Sequence, residues 1–294
     1  MGNLVIDEAL LSEIEALQSL LKNNVAGMFG GNHQSKSFGS SCEFADYRDY
    51  LPGDDVSKID WNVYARSEKL YQKLYLDERQ MHTKIYIDAS RSMQHAAPEK
   101  AEQAIRMAAA FAYLSIAEMD KVSIYAIHGD RVDEILSGIV GKDAYLSSIN
   151  QLNEIEFTAD ASIGNAIRAA KIGMGDGYSI LISDFLTDDD YEAAIDRFTE
   201  QRRDVLCLQI LSREELNPQL RGKMHLFDSE DAGNFFRKKI DKDRVNAYKE
   251  ALRYVTERIK NYCEAHGGHY LLIPSYQKLT DVFFSDMVDL GVLK

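Results

Sequence analysis

From Thr83 onward the chain alternates short, almost wholly apolar runs with longer segments of helical periodicity, and this constrains the fold more than any other feature. Runs such as "YSILISD" (178–184) and "VLCLQIL" (205–211) carry apolar residues at both odd and even positions. A strand can do so only when both faces of its sheet are covered. Strands are expected over Lys84–Asp88, Val122–Ile127, Val132–Leu136, Tyr178–Asp184, Val205–Leu211 and Tyr270–Ile273. Helices are expected over Pro98–Met119, Asp143–Leu152, Ile163–Ile172, Asp188–Gln201, Asp243–His266 and Ser275–Leu290. Strands joined through helices pair in parallel with right-handed crossovers, so the expected class is α/β with a doubly wound, mostly parallel sheet. The exception is "HGDR" (128–131), too short for a crossover and therefore an antiparallel hairpin at a sheet edge. A further short strand pair fits between Met224 and Ile240.

Upstream the pattern changes. Asp7 to Lys22 places Leu10, Ile14, Leu17 and Leu21 on one helical face, and "NNVAGMFGGNHQSKSFGSS" (23–41) then breaks the periodicity with four glycines. Ser41 to Asp60 reads as irregular, with a turn at Pro52-Gly53, and Lys69 to Leu76 reads as a strand. The chain thus divides into 1–35 (helix and linker), 36–80 (an irregular or β segment packing on the core) and 81–294 (the α/β domain).

With 34 basic against 47 acidic residues the formal net charge is -13, which argues against nucleic acid or an anionic lipid surface as the main partner. The three cysteines, Cys42, Cys207 and Cys263, are odd in number and lack metal-site spacing, as expected of reduced thiols in a cytoplasmic protein. No run reaches the ~18 apolar residues of a membrane span. The N-terminus carries acids where a signal peptide needs a basic region, so neither feature is expected.

The chemistry concentrates in "KIYIDASRSMQ" (84–94), where a buried strand delivers Asp88, Ser90 and Ser92 at alternate positions. Alternate residues of an extended loop point the same way, so three oxygens can converge. Asp184 ends a second strand, and ligands of open α/β sheets bind at such carboxyl ends. Hydroxyls, one or two carboxylates and water suit Mg²⁺, which prefers hard oxygen donors and keeps several waters. The structural alternative is that Asp88 and Ser90 cap a turn or the following helix. In "TDDDYEAA" (187–194), Thr187 or Asp188 reads as a helix cap, and Gly267-Gly268 of "HGGH" (266–269) reads as a helix terminus. There is no GxSxG, P-loop, GxGxxG or HExxH pattern, so catalysis is not expected. A metal-dependent hydrolase survives only as an alternative, because a cation beside two carboxylates can activate water.

"IDASRSM" (87–93) resembles the DxSxS metal-ion-dependent adhesion site of von Willebrand factor A domains, and the order of strands and helices is similar to theirs. The block from Glu43 to Arg79 resembles the signature of the domain-of-unknown-function 58 family. The matching residues are Phe44, Arg48, Tyr50, Pro52, Gly53, Asp54, Asp55, Ile59, Asp60, Trp61, Ala65 and Arg66. The likeness spans roughly Phe38 to Leu290. It implies a von Willebrand factor A-like core and a Mg²⁺ site (or Mn²⁺, Ca²⁺) on Asp88, Ser90, Ser92 and Asp184. The third motif departs: "ASIGNAI" puts Ala161 where a threonine belongs, leaving Ser162, Thr158 or Asp160 as substitutes. Arg48, Asp54, Asp55, Asp60, Trp61 and Arg66 form either a docking surface or a buried network of ion pairs, the network being the preferred expectation. The resemblance also implies a non-catalytic adaptor that partners a MoxR-type AAA+ ATPase and a client protein. The alternative is an interaction module whose metal site has decayed.

Overall fold

The computed structural model describes residues 5–24, 44–75, 80–94, 99–158, 160, 162–187, 190–218, 222–227, 235–240 and 242–287. Cys42, Ala161, Asp188 and most of the glycine-rich stretch therefore lie outside the described residues. Helix α1 (Glu8–Asn24) buries Leu10, Ile14, Leu17 and Leu21, the four residues its periodicity placed on one face. Each such aliphatic side chain contributes roughly 1.5–3 kcal/mol when fully buried, which is what holds the helix on the domain.

Residues 44–75 are more regular than expected. Strand β1 (Phe44–Asp49) pairs antiparallel with β2 (Tyr71–Tyr75), and helix α2 (Trp61–Ser67) lies between them. Within Ser41–Asp60 only Phe44–Asp49 departs from the irregular chain expected among the described residues: Asp46, Tyr47, Arg48 and Asp49 are all exposed, so this strand presents no apolar face to read. Asp60 starts α2: its Oδ1 accepts from the amides of Asn62 (2.9 Å) and Val63 (3.3 Å). That satisfies two of the amides a helix N-terminus leaves free.

The main sheet is built from β3 (His82–Asp88), β4 (Lys121–His128), β5 (Arg131–Ile139), β6 (Tyr178–Ser183), β7 (Asp204–Leu211) and, after the separate antiparallel pair β8 (Gly222–Phe227) and β9 (Phe235–Ile240), β10 (His269–Pro274). Its spatial order is β10-β7-β6-β3-β4-β5. Every pairing is parallel except β4 with β5, the edge hairpin, where Gly129 supplies the left-handed turn residue at φ +59°. The helices are α3 (Glu99–Ala117), α4 (Lys142–Ser148), α5 (Ile163–Ala169), α6 (Glu192–Glu200), α7 (Arg213–Leu216), α8 (Lys242–Ala265) and α9 (Leu279–Asp281). Two apolar layers flank the sheet. Ile85, Ile87, Ile180 and Ile182 pack with residues of α1 and α3, whereas Tyr86, Leu181 and Cys207 pack with residues of α5, α6 and α8. This three-layer α/β arrangement, with an antiparallel edge hairpin, is the von Willebrand factor A-like class expected.

Four helices are shorter than their periodicity: α4 ends at Ser148 and gives way to a 3-10 helix over Ile149–Glu154, α5 ends at Ala169, and the other two depart further. α6 starts at Glu192 with Tyr191 at its N-cap, so Thr187 is not its cap, and Asp188 lies outside the described residues. Asp190 instead binds the Ala193 amide (3.3 Å) and the Arg168 guanidinium (2.5 Å). Among the described residues from Ser275 on, the helix begins at Leu279 rather than Ser275, and Leu279–Asp281 is continued by a π-helical turn at Val282–Asp286. Gly267, at φ +76°, turns the chain from α8 into β10 as the HGGH reading required. Cys207 and Cys263 are free thiols, both buried. Among the described residues no helix is long and apolar enough to cross a membrane.

Candidate metal centre

The strand order places β3 beside both β4 and β6. The chain leaves β3 in one direction for β4 and later runs in the other through β6, β7 and β10. Connections therefore diverge between β3 and β6, and a crevice at the carboxyl ends of that pair is where open α/β sheets take ligands. Asp88 ends β3 and Asp184 follows β6 directly, so the two carboxylates expected to converge do lie on adjacent strands.

Asp88 is buried. Its Oδ1 accepts from the Ser90 amide (2.9 Å) and its Oδ2 from the Ser183 hydroxyl (2.6 Å). Burial and then the nearby charge of Asp184 push its carboxyl up to about 6, against the hydrogen bonds from Ser183 and Ser90 that favour the ionised form. Ser90 does precede the 3-10 helix Arg91–Met93, but its side chain makes no capping hydrogen bond there. Its hydroxyl instead meets that of Ser92 at 2.9 Å. Two cis ligands of octahedral Mg²⁺, each about 2.1 Å from the ion, stand about 3.0 Å apart. The paired hydroxyls thus have the separation of one octahedral edge, and this part of the donor set fits a hard divalent ion. Among the described residues no group of three or more His, Cys, Asp and Glu side chains could hold a metal.

Asp184 is held differently. Its Oδ1 accepts from the Leu186 amide (3.0 Å), and the Gln209 side chain, itself bound by the Tyr270 hydroxyl, donates to its carbonyl (2.7 Å). Phe185 adopts a left-handed φ of +53°, uncommon for a bulky residue, with its amide tied to the Ser183 hydroxyl (2.9 Å). Oδ2 of Asp184 is occupied by the ammonium of Lys100, 2.8 Å away, which also reaches Oε1 of Glu215 at 2.6 Å. The Lys100 side chain is only 2% exposed. Glu215 is in turn fixed by the capping box of α7, where its Oε2 accepts from the Ser212 amide (2.7 Å). Burial disfavours the Lys100 ammonium, yet the charges of Asp184 and Glu215 outweigh it and hold the amine above its ordinary range. Sequence reasoning missed both partners. The one available signal was Lys100 in the first turn of a helix, where a cation opposes the dipole unless carboxylates compensate.

The third motif is partly in view. Ser162 precedes α5, and its hydroxyl accepts from the Asn165 side chain (2.8 Å). Thr158 is exposed, and its carbonyl accepts from Arg91 (3.1 Å), which ties this loop to the Asp88–Ser92 loop. Asp160 is exposed as well.

The N-terminal block divides the residues named for it. Arg48 pairs with Asp54 (2.7 Å), Asp55 binds the amide and hydroxyl of Ser57, and Asp60 takes the Tyr47 hydroxyl (2.8 Å) and Lys73 (3.1 Å). The Tyr47 hydrogen bond, more than Lys73 and the helix amides, holds the Asp60 carboxyl down at about 2. A network exists, then, but not a buried one around the tryptophan. Trp61 is 60% exposed and meets Tyr64 edge-on, and Arg66 is exposed. Leu51, Val56 and Leu70 are exposed on the same segment.

The strand order and the antiparallel edge hairpin are those of a von Willebrand factor A-like α/β fold. The chain belongs to the family described as Protein of unknown function DUF58, whose model matches residues 46–257. Uncharacterized proteins of Mycobacterium tuberculosis and Mycobacterium bovis are each 24% identical to it over 229 residues, covering 76% of this chain and 72% of theirs. Among solved structures, an aerotolerance-related membrane protein from Bacteroides fragilis is similar at 16% identity and a TM-score of 0.42, over 71% of this chain and 98% of that one. The SpRpn10 VWA domain is similar at 12% identity and a TM-score of 0.39, over 72% and 95%.

Proposed function

We propose that this chain is a non-catalytic protein-binding module that holds a divalent cation, Mg²⁺ or else Mn²⁺ or Ca²⁺, in the crevice between β3 and β6. The observation that carries the reading is the 2.9 Å separation of the Ser90 and Ser92 hydroxyls in front of a buried Asp88. Such an ion supplies a Lewis-acid position at which a carboxylate from a second protein completes the coordination. Ser90 and Ser92 are the direct donors. Asp88 orients the loop through the Ser90 amide and contributes the negative charge. Asp184 acts at longer range. Few charged donors leave such a site receptive to an acidic side chain from the partner. The resemblance to the family adds the partner class, a MoxR-type AAA+ ATPase, for which the chain serves as adaptor toward a client protein.

The test is a pull-down of that ATPase with wild type and Asp88→Ala in parallel, in Mg²⁺ and in chelator. Capture by the wild type in Mg²⁺ alone supports the reading; equal capture by both proteins detaches partner binding from the cation. A second reading, an interaction module that takes no ion, draws on the Lys100 ammonium already seated on Asp184. It expects capture that ignores both the substitution and the chelator.

A further inference from the structure

We infer that Lys100 is a built-in competitor for the cation of this crevice, an ammonium seated between Asp184 and Glu215 that must yield Asp184 for a divalent ion to bind tightly. The inference rests on the cation reading above and adds its regulation.

Lys100 belongs to the first turn of α3, where its charge opposes the helix dipole, and its side chain is almost wholly removed from water. A buried ammonium persists only if it is paired and hydrogen-bonded. Here two carboxylates do this, at 2.8 and 2.6 Å, and they come from different parts of the chain, the turn after β6 and helix α7. Neither partner is free to drift. The turn carrying Asp184 is pinned by Leu186 and Gln209, and Glu215 is pinned by the capping box.

This geometry makes Lys100 the counter-charge of the crevice. With its ammonium on Asp184, an approaching divalent ion meets one carboxylate already neutralised and a fixed positive charge beside it. Like charges in a site of low effective dielectric repel strongly, so the ion binds weakly while that pair is closed. Glu215 offers the ammonium a second seat, only partly buried, so Lys100 can release Asp184 without being left unpaired. Cation entry and the Lys100–Asp184 pair are therefore mutually exclusive in effect. A partner carboxylate that adds to the bound ion shifts the balance toward the open pair. Weak binding in the free chain and tighter binding in the complex follow from the same two contacts.

The experiment is calorimetric titration of the full chain with Mg²⁺ alone, comparing wild type, Lys100→Gln, Lys100→Arg and, as an exposed control at the opposite end of the sheet, Lys121→Gln. Lys100→Gln is expected to bind Mg²⁺ at least about tenfold more tightly than wild type, with the other two within about threefold. Glu215→Gln, which leaves the ammonium no seat other than Asp184, is expected to weaken binding severalfold and serves if Lys100→Gln does not fold. Equal affinity in wild type and Lys100→Gln, or unchanged or tighter binding in Glu215→Gln, overturns the inference while leaving the cation reading intact. Absence of binding in every protein overturns both.

Discussion

Replacing Lys100 by methionine isolates the interaction on which the crevice most depends. Methionine keeps the length and apolar stem of the lysine but removes the charge, leaving Asp184, whose side chain is 3% exposed, without its cation. Breaking a buried pair from one side costs about 3–5 kcal/mol, because the remaining charge stays desolvated. Glu215 is better exposed and adds little to that figure. At about 2–4 °C per kcal/mol for large domains, the melting temperature falls by on the order of 10 °C. Thermal and urea unfolding in chelator measure this directly. The companion variant Asp184→Asn relieves the stranded charge, so Lys100→Met with Asp184→Asn recovers much of the loss, with a coupling of at least about 1 kcal/mol. A loss below about 1 kcal/mol for Lys100→Met, or strict additivity in the cycle, refutes the claim that the pair is buried and energetically coupled.

Two further outcomes are expected. The Asp88 carboxyl is raised by burial, and by Asp184, to about 6 from an ordinary 3.8, so the stability it contributes is fully present below pH 3.8 and is lost as pH rises through 6. Asp88→Asn removes that loss. Its stability relative to wild type, measured by urea unfolding in chelator, should climb between pH 4 and 6.5 by up to ~3 kcal/mol and then level off; a difference independent of pH contradicts the assignment. Trp61→Ala, at an exposed side chain, should change stability by less than about 0.5 kcal/mol in urea unfolding, and a larger loss means that the indole is packed after all.

The parts of the molecule legible in the sequence are those set by local pattern. The apolar runs ending in Asp88 and Asp184 signalled strands covered on both faces, and both carboxylates stand where their strands end. The face of α1 was readable because a helix repeats its apolar positions at fixed spacing, and all four named residues are buried. What escaped depends on chain distant in sequence. Lys100 meets Asp184 across 84 positions, and no periodicity encodes which way the first turn of α3 aims a long side chain. β1 was missed because Asp46, Tyr47, Arg48 and Asp49 are all exposed, as residues of a two-stranded ribbon can be, and leave no apolar alternation to read. Trp61 was expected inside a network because an irregular segment has many backbone groups to satisfy, yet α2 carries it outward beside Tyr64.

Cation-dependent binding in this crevice requires that the hydroxyls of Ser90 and Ser92 hold an ion. Calorimetric titration of Mg²⁺ into wild type and into the Ser90→Ala, Ser92→Ala double variant measures this most directly, with both proteins first shown to unfold at similar urea concentrations. The expected result is saturable binding of one ion per chain to wild type, weak in the absence of a partner, and its loss in the double variant. No binding to wild type even with the ATPase present, or equal binding to both proteins, contradicts it.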